Sequence, residues 1–111
     1  MNLSEFIQKS GFEMIHWSEE ADRALSGVFC CDLLSIAMSK APADCVWVTV
    51  MGNVNAVAVC VLAETGCLVL AEGASLDENA LEKARQHNVA VLKSPLPVFD
   101  TALRAHQLLC G

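Results

Sequence analysis

The chain has 111 residues, enough for one domain. It is 54% hydrophobic and only 18% charged, more apolar than the ~45–50% of ordinary soluble domains. Its net charge of −6, with seven Lys and Arg scattered singly, argues against nucleic-acid binding and against an anionic membrane surface. The start, "MNLSEFIQKSG", lacks a basic stretch followed by an apolar core, and no apolar run reaches the ~18 residues of a membrane span. Neither a signal peptide nor a membrane anchor is expected, and the cytoplasm is the default compartment.

Residues 3 to 9, with Leu3, Phe6 and Ile7 apolar, predict a short amphipathic helical turn or two stopped by Gly11. "FEMIHW" alternates as a strand would, with Phe12, Met14 and His16 on one side. "SEEADRALSG" reads as a polar connector and "GVFCC" as a short strand. Asp32 is placed to cap "LLSIAMSKA", whose Leu33, Leu34, Ala37 and Met38 share one face, and Pro42 ends that helix. "CVWVTV" suits a strand buried on both faces. In "NVNAVAVCVLAET" the valines make strand a competitor, but 13 residues without a turn signal before Gly66 favour a helix, largely buried.

"CLVLAEG" is the next strand. "SLDENALEKARQHN" then predicts a helix with a Ser75–Glu78 capping box, an outer Glu82–Arg85 pair and Asn88 at its end. "VAVLKS" is a further strand, and Pro95 and Pro97 introduce "VFDTALRAHQLL", where Asp100 and Arg104 are spaced for an i,i+4 pair. Three strand-then-helix units in succession predict an α/β fold: one domain over residues 1–111, a mainly parallel sheet, right-handed crossovers and flanking helices.

The six cysteines form no C-x-x-C and have no histidine at ligand spacing, so no metal site is expected and no cofactor is implied. Cys45, Cys60 and Cys67 fall in or beside predicted elements as small buried hydrophobes. Cys30 and Cys31 read as one inward residue on a strand and one at a turn, which fits a reducing compartment.

In an open α/β sheet, ligands lie outside the carboxyl ends of the strands. Those ends supply the candidate ligand-binding residues Gly52, Asn53, Val54, Asn55, Glu72, Gly73 and Ser94. Gly52 permits a tight turn, and Asn53 or Asn55 caps the following helix, whose positive end favours an anion. One cap needs one asparagine, so the second keeps a binding role open. Asp32 and Glu72 are candidate acids only if the fold brings them together. No G-x-G-x-x-G, P-loop or G-x-S-x-G occurs, so no catalytic residue is assigned. His16, His87 and His106 are scattered and read as satisfied or solvated, and Trp17 and Trp47 as packing residues.

Residues 3 to 109 resemble the DRTGG domain, named for an Asp-Arg-Thr-Gly-Gly motif, and the related N-terminal domain of HPr kinase/phosphorylase. The resemblance rests on "DLLS" at 32 to 35, "WVTV" and "NAVAV" within 47 to 59, and "EG…DENALEKA" at 72 to 84, in that order and spacing. It implies an HPr kinase N-terminal-domain-like α/β module, often dimeric, often joined to CBS pairs or phosphotransacetylase, and regulatory without established chemistry. Its naming motif falls on Asp22, Arg23, Ser26 and Gly27, with Ala24-Leu25 intervening and Val28 in place of one glycine; Asp32 opens the "DLLS" segment. Kinase activity is not implied, because the chain has no P-loop.

The expected function is a non-catalytic regulatory module. It would form a homodimer that covers the excess apolar surface and sense a small anionic metabolite or nucleotide. The alternative is a ligand-free assembly subunit for a partner protein. A small enzyme using Asp32, Glu72 or a cysteine is a third reading.

Overall fold

A computed structural model describes residues 1–110. The elements run α1 (Leu3–Ser10), β1 (Glu13–His16), β2 (Val28–Cys30), α2 (Leu34–Lys40), β3 (Val46–Thr49), α3 (Val54–Ala63), β4 (Cys67–Leu70), α4 (Glu78–His87), β5 (Val91–Lys93) and α5 (Val98–Cys110). The five strands form one sheet in the order β1-β5-β4-β3-β2. Strands β2 to β5 are mutually parallel, and β1 joins the β5 edge antiparallel.

The burial of each strand follows its place in that order. Every residue of β3 and β4 is buried, as apolar runs covered by helices on both faces must be. Because β2, β3, β4 and β5 are neighbours in chain order, right-handed crossovers carry α2, α3 and α4 to one face. There Ala37, Val57 and Ala84 pack against Trp47, Leu68 and Val91. The opposite face is closed by α1 and α5, with Leu3, Phe6 and Ala105 against Val46, Val69 and Leu92.

Helix α3 settles the competition within its valine-rich sequence. It buries Ala56, Val57, Val59 and Cys60 and contains no charged residue. Packing between two helices, not propensity, holds it helical. Asn53 caps it, the Oδ1 accepting from the Ala56 amide at 2.9 Å, and Glu64 ends it in the left-handed region at φ 56°.

Four local expectations are corrected. Helix α4 is capped by Asp77, whose Oδ1 accepts from Ala80 N at 2.7 Å, so the helix starts two residues later than a Ser75 cap requires. Asp32 does not cap α2, whose cap position is Leu33 without a side-chain bond. Arg104 does not pair with Asp100: its guanidinium donates to the carbonyls of Ser10 and Lys9, closing the end of α1 onto α5. Just before β1, Phe12 is buried, while Met14 within it is 48% exposed. A register shift between Met14 and His16 at this sheet edge breaks the alternation. The Glu82–Arg85 pair is present at 3.8 Å, fully on the surface.

Candidate functional site

The loops after β3, β4 and β5 meet at the carboxyl end of the sheet. A Cβ built on Gly52 would lie 1.9 Å from the carbonyl oxygen of Ser75, so Gly52 is there for close backbone approach as well as for a turn. The Gly52 carbonyl accepts from the Asp77 amide at 2.9 Å, joining the start of α3 to the start of α4. Ala71 to Ala74 form a turn closed by Ala74 N to Ala71 O at 3.0 Å. Its central residues Glu72 and Gly73 are both left-handed, at φ 58° and 66°, the pattern of a type I′ turn. Glycine adopts that conformation freely, whereas for Glu72 it costs about 1–2 kcal/mol.

Glu72 N and Gly73 N donate to the carbonyls of Leu96 and Ser94 at 2.8 and 2.9 Å. Helix α4 leaves this end toward one face and α5 toward the other, so the β4 and β5 loops flank the reversal at which open α/β sheets form a crevice. Ser94 is fully buried, and its hydroxyl is shared with Thr101 Oγ1 at 2.8 Å and Leu96 N at 3.1 Å. It shapes the loop from within. Asn53 and Val54 are partly buried, whereas Asn55, Glu72 and Gly73 are exposed. In the first turn of α3 the amides of Val54 and Asn55 have no intrahelical acceptor. Asp32 accepts from Thr49 Oγ1 at 2.6 Å and from Val50 N at 3.0 Å. It therefore pins the β2 exit to the β3 exit, and no contact joins it to Glu72.

A second cluster forms at the amino end of the parallel strands. Arg23 Nε donates to Asp44 Oδ1 at 2.6 Å, Nη1 to Glu20 Oε2 at 2.9 Å, and Nη2 to the Glu64 carbonyl. Burial works against the Arg23 charge, but the hydrogen bond and charge of Asp44, with those of Glu20, leave its pKa above the ordinary arginine value. Asp44 is left-handed at φ 65° and Glu64 at φ 56°, so one guanidinium holds two strained residues from different loops. Ser26 adds to the clasp, donating through its hydroxyl to Ala43 O at 2.8 Å and through its amide to Asp44 O at 3.0 Å. Gly27 O accepts from Val46 N at 2.8 Å. The cleft beside this cluster, about 700 Å³, is lined from the polar connector, the α3–β4 turn and the end of α4.

No family model and no curated protein matches the chain. Among solved structures, it is similar to the CBS and DRTGG domains of the regulatory region of Clostridium perfringens pyrophosphatase, complexed with the activator diadenosine tetraphosphate. The TM-score is 0.77 over 96% of this chain at 14% identity, and the chain spans 46% of that structure's length. The fold is DRTGG-like.

Within this DRTGG-like domain, the positions assigned to the naming motif and those at the strand exits fall at opposite ends of the sheet. Asp22 is exposed, Arg23, Ser26 and Gly27 hold the amino-end loops as described, and Asp32 alone lies at the carboxyl end. The clasp made by Arg23 was not legible in the sequence, because its acceptors are 21 and 41 residues away. All six cysteines are free. Burial pushes the Cys45 thiol up to about 11 and the Cys60 thiol up to about 12, and raises Cys67 as well. His16 Nδ1 donates to Val89 O at 2.8 Å, tying the β1 edge to the start of β5. Trp47 is buried, with Nε1 donating to Cys31 O at 3.0 Å.

Proposed function

We propose that the protein is a non-catalytic regulatory module that dimerises and senses a nucleotide or similar small anionic metabolite at the carboxyl ends of β3 and β4. One observation carries this reading: Glu72 is held left-handed at φ 58°, exposed and without a side-chain partner, in a turn bonded to the neighbouring loop. Strain kept on an exposed residue beside a strand-end crevice is typical of binding sites. The free amides at the start of α3 suit a phosphate, and the Glu72 carboxylate suits ribose hydroxyls as acceptor. Asn53, Asn55, Gly52 and Gly73 complete the surface.

The Gly52–Asp77 and Gly73–Ser94 backbone bonds supply the mechanism. Ordering either loop would shift the starts of α4 and α5, and so alter the surface offered to a second copy. The solved regulatory region of the same fold is complexed with diadenosine tetraphosphate, which supports a nucleotide as ligand. A thermal-shift screen of diadenosine tetraphosphate, mononucleotides and phosphorylated metabolites tests the ligand, and a mass measurement in solution tests the dimer.

A specific observation favours the second reading, a ligand-free assembly subunit. Helix α2 buries only Ala37, while Leu33, Ile36 and Met38 are 56%, 42% and 45% exposed. A seven-residue helix with so little packing gains from being covered. Co-purification of a partner without any ligand-induced shift would support that reading.

A further inference from the structure

Helix α3 contains no charged residue, yet its outer side is uncovered. Opposite the buried Ala56, Val57, Val59 and Cys60, the exposed residues are Ala58, Val61 and Leu62, with Val61 at 38% and Leu62 at 68%. Their i, i+3, i+4 spacing places them on one face of the helix. Between that face and α4 runs an open groove of about 220 Å³, bordered by Val54, Ala58, Val61 and Leu62 on one side and by Lys83 and His87 on the other. On its other flank α3 packs beside α2, which leaves Met38 45% exposed.

We infer that this face, centred on Ala58, is where a second copy of the chain docks, α3 against α3, with Leu62 of each copy at the other's α3–α4 groove. The inference rests on the dimer of the reading above and gives it a surface. Three observations select a second copy. Each copy carries a net charge of −6, so two copies repel unless they meet where carboxylates are absent. Neither α2 nor α3 contains an Asp or Glu. The exposed apolar pair on α5 differs, because Phe99 and Leu103 are each followed by a charged residue, Asp100 and Arg104.

The second observation is shape. A two-fold interface uses the same patch on both copies, so that patch must hold projection and recess together. Leu62 projects beside the groove, and the small Ala58 between them lets two helices approach to about 8 Å. The third is size. Met38, Val54, Ala58, Val61 and Leu62, with the Lys83 and His87 side chains, present on the order of 500 Å² per copy, so a pair buries about 1,000 Å², where specific interfaces begin. The Gly52–Asp77 bond joins the starts of the two helices that wall the groove. A ligand that orders the strand-exit loops therefore acts on the dimer through that same groove.

The test is sedimentation equilibrium of wild type, Leu62→Glu and Phe99→Glu over a concentration series. The wild type should approach twice the chain mass, with a dissociation constant of about micromolar order. Leu62→Glu should dissociate at least about a hundredfold more readily, since the isologous interface would bury the new carboxylate twice. Phe99→Glu should match the wild type. A wild type that stays monomeric, alone or with a different protein bound at this face, overturns the dimer and the inference together. A dimer that survives Leu62→Glu, or that Phe99→Glu disrupts, overturns only the assignment to α3. If Leu62→Glu fails to fold, NMR of the diluted wild type decides. Amide shifts on dilution should gather at Ala58, Val61, Leu62 and Lys83; shifts gathered at Phe99 and Leu103 would contradict the inference.

Discussion

A Cβ on Gly52 would lie 1.9 Å from the Ser75 carbonyl oxygen, while one on Gly27 would meet nothing within 4 Å. Neither glycine is left-handed, so the contrast isolates close approach from backbone freedom. Gly52→Ala is expected to destabilise by about 3 kcal/mol, because the obstacle is backbone that cannot rotate away. Gly27→Ala should change stability by under about 1 kcal/mol, in the stabilising direction. Chemical denaturation of the two variants checks both values.

Arg23 is expected to matter more for stability than any other surface cation. Arg23→Ala removes three hydrogen bonds, of which only that to Asp44 is partly buried, and frees two left-handed residues, for a loss of about 1–2 kcal/mol. Arg23→Lys should recover little, since one ammonium cannot span acceptors on three segments. Arg85→Ala, which breaks only the exposed pair with Glu82, serves as the control and should cost under about 0.5 kcal/mol. Urea midpoints of the three variants decide.

The buried thiols set an alkaline limit. Their folded pKa values are raised above the unperturbed 9.0, to about 11 for Cys45 and about 12 for Cys60. The folded state therefore keeps protons that the unfolded state releases. The contribution is fully present below pH 9 and is lost as pH climbs from there toward 11 and 12. Stability measured against pH should fall over that window, and Cys45→Ala with Cys60→Ala should flatten the fall. A thiol reagent at neutral pH should modify Cys30 and Cys110, which are exposed, well before Cys45, Cys60 and Cys67.

What could be read from the sequence was whatever repeats locally. The parallel β2–β5 sheet follows from strand-then-helix periodicity, and the helical state of "NVNAVAVCVLAET" follows from its length between turn signals. What escaped was pairing across distance. Asp32 is drawn away from α2 by Thr49 and Val50, 17 and 18 residues on. Arg104 finds the carbonyls of Ser10 and Lys9, more than 90 residues back, instead of Asp100. Ser75 and Asp77 are both capping residues, so the sequence alone leaves the start of α4 open; the Asp77 cap on Ala80 N together with the Gly52–Asp77 bond fixes it. Asp77→Ala should accordingly cost about 1 kcal/mol and Ser75→Ala almost nothing. The strand-exit loops were visible as candidates, but the strain at Glu72 was not, because nothing local marks a glutamate as left-handed.

That strain gives Glu72 two separable effects. Glu72→Gly removes the steric cost at φ 58° and should stabilise the unliganded protein by about 1 kcal/mol. It also deletes the carboxylate assigned to the ligand. The variant should therefore melt higher than wild type and respond less to a nucleotide. A more stable variant with an undiminished response would remove Glu72 from the site.

The most direct measurement compares wild type with the Asn53→Ala/Asn55→Ala variant by thermal melting, each with and without diadenosine tetraphosphate and a panel of mononucleotides. At a hundred times its dissociation constant, a true ligand adds about 2.7 kcal/mol to the wild type. Losing the Asn53 cap costs the unliganded variant only about 1 kcal/mol. The account predicts a stabilised wild type and a folded double variant that no longer responds. It is contradicted if no nucleotide or phosphorylated metabolite shifts the wild type, or if the double variant responds equally.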